Sequence, residues 1–219
     1  ESKMKVKLVN STSDAVDLLL FTKNTRLMND DDSYSKISEW SEEKKQSELD
    51  YMLNTIRSSW EFIDYTFDVR DVSRGFTHQF VRTRQASYAQ QSQRTVDMGG
   101  FSYYTPDRFY EPENEYQKLI YDQAMESINM NYQQLRELGI PAEDARGILP
   151  TNIHTNIVAK FNLRTLSEMA KSRLSPRAQG EYQQVFKLMV KEVVKIHPWA
   201  EPFLTPKEWS APSMSKSLN

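Results

Sequence analysis

Between Ile63 and Arg70 the apolar residues Ile63, Tyr65, Phe67 and Val69 alternate with Asp64, Thr66, Asp68 and Arg70. That period of two predicts a half-buried strand. A shorter alternation over residues 4–9 predicts a first strand. Ser11 to Asp14 then offers N-cap chemistry for a helix over 15–21, followed by a solvated loop at 29–33. Residues 42–56 read as a helix with Leu49, Met52, Leu53 and Ile56 on one face. A short helix over 73–81 delivers the chain to Arg82, and 87–96 reads as extended. Gly99-Gly100 and Thr105-Pro106 mark a loop rich in Tyr and Phe, whose aromatics either line a pocket or, as expected here, pack beneath the loop.

Tyr116, Ile120, Ile128, Tyr132 and Leu135 recur at helical spacing over 113–138, and Gly139 with Pro141 closes that helix. One short turn is expected at 141–147, a β-branched strand at 152–161 and a helix at 162–174. Ser175-Pro176 predicts the start of a last long helix reaching Ile196, stopped by Pro198. Strands and helices follow one another without βαβ regularity, which predicts an α+β fold. Residues 1–204 are expected to form one domain and 205–219 a loose tail.

With 219 residues, 38% hydrophobic and 11% aromatic, the chain can build a core, which argues against wholesale disorder. A formal net charge of -2 supplies no global field toward nucleic acid or anionic membrane. Basic character is local, at Arg146, Arg164, Lys171, Arg173 and Arg177. Without cysteine there is neither disulfide nor thiolate, which fits a cytoplasmic protein. His78, His154 and His197 are scattered, so no metal site is expected. No apolar run is long enough to cross a bilayer, and Glu1-Ser-Lys ahead of Met4 reads as a remnant of expression processing.

The densest chemistry lies between Arg82 and Arg94, where Arg82, Arg84 and Arg94 stand with Ser87, Ser92 and amides and no acid. A guanidinium matches phosphate oxygens bidentately, and hydroxyls and amides complete an anion cradle. The segment therefore suits a phosphorylated, nucleotide-like ligand. The same composition also describes an exposed polar strand, and residues alone leave both readings open.

Val72-Ser73-Arg74, Gln79, Arg82-x-Arg84-x-x-Ser87 and Ser92-x-Arg94 together resemble the signature of the flavin-dependent thymidylate synthases, of which this would be a divergent member. Of eight specified positions in the core pattern, five match, and Thr83, Ala89 and Thr95 depart. A second block agrees in order and spacing: Arg146-x-x-Leu149-Pro150, Asn162-x-Arg164-x-Leu166, Arg173 and Ala178-Gln179-x-Glu181.

The resemblance implies a homotetramer with a largely antiparallel or mixed central sheet flanked by helices, and with sites shared between subunits. It implies methylation of dUMP to dTMP with methylenetetrahydrofolate as carbon donor, FAD as hydride carrier and NADPH as reductant. Uracil methylation otherwise begins with a cysteine thiolate, and this chain has none.

Carried over by position, Gln79, Arg82, Gln90, Gln91, Ser92, Gln93, Arg94, Arg146 and Arg173 would bind dUMP. Ser58, Arg82, Thr83, Arg84, Gln90, Asn162, Arg164 and Glu168 would bind FAD, and Arg173 would be the activating residue. Glu168 stands where the family usually has a neutral amide, and Thr83 gives up an imidazole. A second reading is a relative making another 5-substituted pyrimidine nucleotide, such as the 5-hydroxymethyl product. A third is a single-stranded nucleic-acid module that stacks bases on Tyr88, Phe101, Tyr103 and Tyr104.

Overall fold

The computed structural model describes residues 4–205 apart from Pro176 and Gln179. It is an α+β structure with a four-stranded antiparallel sheet in the order β1-β2-β4-β3, flanked by helices. In chain order the strands are β1 (Lys5–Ser11), β2 (Asp64–Ser73), β3 (Ala86–Gln90) and β4 (His154–Asn162). The helices are α1 (Ala15–Lys23), α2 (Ser33–Ser38), α3 (Glu42–Met52), α4 (Arg74–Phe80), α5 (Glu115–Glu137), α6 (Ala142–Ala145), α7 (Leu163–Arg173), α8 (Glu181–Ile196) and α9 (Glu201–Leu204). Among the described residues no helix is long and apolar enough to cross a membrane.

Tertiary contacts group these elements into two compact units. The first comprises the segment up to Lys7, Asp68–Ala159 and Gly180–Val185. The second comprises Leu8–Phe67, Lys160–Gln179 and the chain from Phe186.

In the second unit, Ile63, Tyr65 and Phe67 of the alternating segment are fully buried beside Leu19, Leu20, Ile37 and Met52. Each such side chain contributes about 1.5–3 kcal/mol relative to exposure. Ser41 caps α3 by accepting from the Lys44 N–H at 3.2 Å, and Asn162 caps α7 by accepting from Thr165 at 2.8 Å. In the first unit, Phe76, Phe80 and Tyr182 form an aromatic core, with Phe76 edge-on to Tyr182 at 5.1 Å.

Several sequence expectations are corrected. Asp14 stands at the N-cap of α1 in the left-handed region (φ 51) and makes no capping bond. The helix predicted over 42–56 stops at Met52, because the chain turns through a left-handed, exposed Ile56 (φ 51). The extended segment predicted to 96 ends at Gln90. The last long helix starts at Glu181, while Ser175 accepts from the Arg177 N–H at 3.3 Å in a turn. Pro176 and the tail beyond Thr205 lie outside the described residues. The helices α2 and α9, too short to carry a periodicity, were not anticipated.

The Tyr65 hydroxyl and His197 Nδ1 are hydrogen-bonded at 2.9 Å. Burial raises the Tyr65 phenol, so it stays protonated. Burial lowers the pKa of His197, and also that of His154, where Asp71 opposes part of the shift. The unfolded chain therefore takes up protons first, and stability present above the ordinary value of 6.5 is lost as pH falls toward the lower folded values. Glu181 works in the opposite sense, since burial raises its carboxyl despite the bonds from Ser73. The urea midpoint is thus expected to drop on going from about pH 7.5 to about pH 5.5. His197→Gln is expected to flatten part of that slope.

Candidate active site

In the first unit the arginine-rich segment is placed by a buried carboxylate. Ser73 caps α4 by accepting from the Phe76 N–H at 2.9 Å, and its own hydroxyl donates to Glu181. Glu181 also accepts from the Ser73 N–H at 2.8 Å. This lock fixes the helix that carries Gln79 on its exposed last turn. Beyond it the Arg82 N–H bonds Gln79 O at 3.2 Å and the Thr83 N–H bonds Phe80 O at 3.3 Å. Tyr88 closes the loop from inside, its hydroxyl donating to Phe80 O (2.9 Å) and Thr83 O (2.6 Å). Arg82 and Arg84 are left exposed on the outer side.

The strand β3 delivers the glutamines. Gln90 donates through Nε2 to Thr77 Oγ1 at 3.0 Å and lies 3.4 Å from Thr155 Oγ1. The Gln91 carboxamide accepts from Asn156 at 2.8 Å, and its N–H bonds Asn156 O at 2.9 Å. At Ser92 the chain leaves the sheet, because the Ser92 hydroxyl accepts from the Arg94 N–H at 3.1 Å and closes a turn. Gln93 is 6% exposed at that turn, and its buried Nε2 has no acceptor among the described residues. Such a donor is costly to leave unmade.

Arg94 and Arg146 converge on one residue. Arg94 Nε is 3.4 Å from a Glu143 carboxylate oxygen, and Arg146 Nε donates to Glu143 O at 3.1 Å. The loop after Arg94 is strapped to α5 by bonds from Met98 N–H to Tyr132 (3.2 Å) and from Gly100 N–H to Asn129 (2.8 Å). Sequence reasoning missed Glu143, Asn156, Thr77 and Thr155. None belongs to a motif, and only folding brings them to the cradle.

In the second unit Ser58 is exposed on a 3-10 helix over Arg57–Phe62. Asn162 spends its carbonyl oxygen on capping α7. Arg164, in the first turn, lies 3.7 Å from Glu61 and 3.5 Å from Glu168 one turn on. The negative charge at Glu168 is therefore partly engaged by Arg164. Arg173 is the last residue of α7 and is half-buried.

Of the aromatics considered for base stacking, Tyr88 and Tyr103 hydrogen-bond through their hydroxyls. Tyr103 donates to Asp122 at 2.8 Å, and Tyr104 O accepts from the Tyr121 hydroxyl at 2.8 Å.

A capped helix, a short strand and a turn that present guanidiniums and amides on an antiparallel sheet define a class that the comparisons specify. Residues 7–199 match the family described as thymidylate synthase complementing protein, and the chain belongs to that family. Among its relatives is the flavin-dependent thymidylate synthase of Saccharolobus solfataricus, 32% identical over 200 residues, covering 89% of this chain and 74% of that one. The flavin-dependent thymidylate synthase of Sulfurisphaera tokodaii is 34% identical over 198 residues, covering 89% and 75%. The crystal structure of a UMP/dUMP methylase PolB from Streptomyces cacaoi, bound with 5-Br dUMP, shares the fold. It superposes with a TM-score of 0.74 over 93% of this chain and 95% of that one, at 18% identity.

Proposed function

We propose that this chain is a cytoplasmic flavin-dependent thymidylate synthase, converting dUMP to dTMP with methylenetetrahydrofolate as carbon donor, FAD as hydride carrier and NADPH as reductant. The observation that carries the nucleotide assignment is the meeting of Arg94 and Arg146 at Glu143, beside the orphaned Gln93 donor. A phosphate there would draw charge-assisted bonds from both guanidiniums, and Ser92 and Gln93 would complete the cradle. Gln79, Gln90, Gln91 and Arg82 would orient the sugar and base, and Arg173 would stabilise charge developing on the uracil ring.

The residues present fit a flavin dinucleotide. Arg164 meets its two carboxylates at long distances and part-exposed, so exchanging them for a diphosphate costs little. Ser58 adds a hydroxyl and Asn162 an amide, with Glu168 beside Arg164. Arg82, Thr83, Arg84 and Gln90 are proposed for the same cofactor by the family resemblance. The flavin supplies hydride transfer, which no side chain of this protein can.

The test is the visible spectrum of the purified protein with added FAD. A flavin band that shifts on addition of dUMP is expected, and no flavin uptake would overturn the reading. Product mass after a complete incubation separates a methyl from a hydroxymethyl product.

We further infer a homotetramer with sites shared between subunits, each formed by the 1–204 domain. The supporting feature is α5, expected to bury Tyr116 and Ile120 but leaving them 71% and 51% exposed. Tyr116, Ile120, Gln123, Ser127, Met130 and Gln134 follow one another along this helix at helical spacing without a charge. A second copy can cover such a stripe without burying an ion. Ile120→Glu is expected to lower the mass measured by analytical ultracentrifugation and to lower activity with it. An unchanged mass would remove α5 from the interface.

A further inference from the structure

The second unit contains a cavity of about 410 Å³ that none of the residues assigned above lines. That volume lies in the range of small-ligand sites. Its walls include Trp60, Phe203, Ser167, Arg57, Lys171 and Glu201. We propose that it binds a small carboxylate carrying a flat apolar body, an aryl carboxylate being the simplest case.

Three observations converge on that chemistry. First, Trp60 is 2% exposed and its indole N–H, a donor only, has no acceptor among the described residues. A ligand oxygen would supply the acceptor. Second, Arg57 and Lys171 bring two positive charges against the single carboxylate of Glu201, leaving a net attraction for one negative charge. Arg57 is held over the Trp60 ring, its guanidinium carbon 5.6 Å from the ring centroid. Third, the wall carries an apolar portion for a flat body: Phe203 stands edge-on to Trp60 at 4.9 Å and 77°, Leu53 and Pro202 add to it, and Ser167, Asn54 and Thr205 supply the polar remainder.

The site is separate from the residues proposed for flavin. On α7 those are Arg164 and Glu168, whereas Ser167 and Lys171 form the adjoining row about 60° round the helix. Because none of the residues proposed for flavin lines the cavity, its ligand is proposed as additional to the dinucleotide, and the FAD arm of the test decides it.

The test uses the ¹⁵N-labelled full chain. The Trp60 indole N–H signal is assigned by its loss in Trp60→Phe, and benzoate is titrated with and without saturating FAD. A saturable shift of that signal in both conditions is expected, while benzyl alcohol (no charge) and inorganic phosphate (no apolar body) leave it in place. Lys171→Gln should raise the benzoate Kd about tenfold, with circular dichroism and dUMP binding unchanged. The proposal is overturned if benzoate gives no saturable shift up to about 10 mM. It fails equally if phosphate binds as well as benzoate, if Lys171→Gln leaves the Kd unaltered, or if FAD expels benzoate. Failure on any of these points leaves the dUMP assignment untouched, because dUMP binding is read on the same samples.

Discussion

Arg173→Ala is expected to lower kcat by on the order of 10²–10³-fold while dUMP affinity changes by less than about tenfold. The reasoning begins with α7. Asn162 caps its start, and Leu163, Leu166, Met169 and Ala170 are buried along its inner face. A side chain on the last turn of so fixed a helix is presented from a rigid base. Arg173 is half-buried and always charged, so it can favour the ionised form of a uracil ring without itself moving a proton. An interaction that strengthens as charge develops raises kcat more than it tightens ground-state binding. Arg173→Lys keeps the charge but loses the planar fork, and an intermediate rate is expected. Steady-state and single-turnover kinetics on flavin-loaded enzyme check both variants. Full turnover by Arg173→Ala would refute the assignment.

The fold was legible wherever one residue pattern had one structural outcome. Ile63 to Val69 alternates so regularly that β2 follows, and the helices expected over 73–81 and 162–174 form as α4 and α7, with Ser73 and Asn162 as their caps. Legibility failed where the outcome depended on a distant partner. Ile56 has the spacing of an α3 core residue, yet the chain leaves the helix at Met52. Tyr116 and Ile120 have the spacing of a buried face, but amphipathicity only says that something must cover them, not that this chain does. Asp14 is a good capping residue in composition, and its backbone takes a left-handed turn instead.

The site divides in the same way. Its guanidiniums and amides could be recognised as chemistry because the motif places them close in sequence. The residues that hold them could not: Glu181 anchors Ser73 across more than a hundred residues, and Asn156 aligns Gln91 from the neighbouring strand. The turn at Ser92 falls inside the segment expected to be extended over 87–96. A local hydroxyl-to-backbone bond decides otherwise.

Arg94→Ala and Arg146→Ala are each expected to raise the dUMP Kd by roughly 10–100-fold, since in the proposed cradle each would remove a charge-assisted donor to phosphate. The structural cost should be small. Arg94 is 62% exposed and its contact with Glu143 is long, so that pair contributes little and thermal stability should hold. Because both guanidiniums would grip one phosphate, their effects are coupled, and the double variant should lose less than the product of the single losses. Deoxyuridine, which lacks the phosphate, provides the control: its weak affinity should be unchanged in all three proteins. If deoxyuridine and dUMP lost affinity equally, the arginines would be shaping the pocket rather than reading its anion. If Arg94→Ala melted early, Glu143 would be a structural partner, and the phosphate cradle would have to be sought elsewhere on the chain.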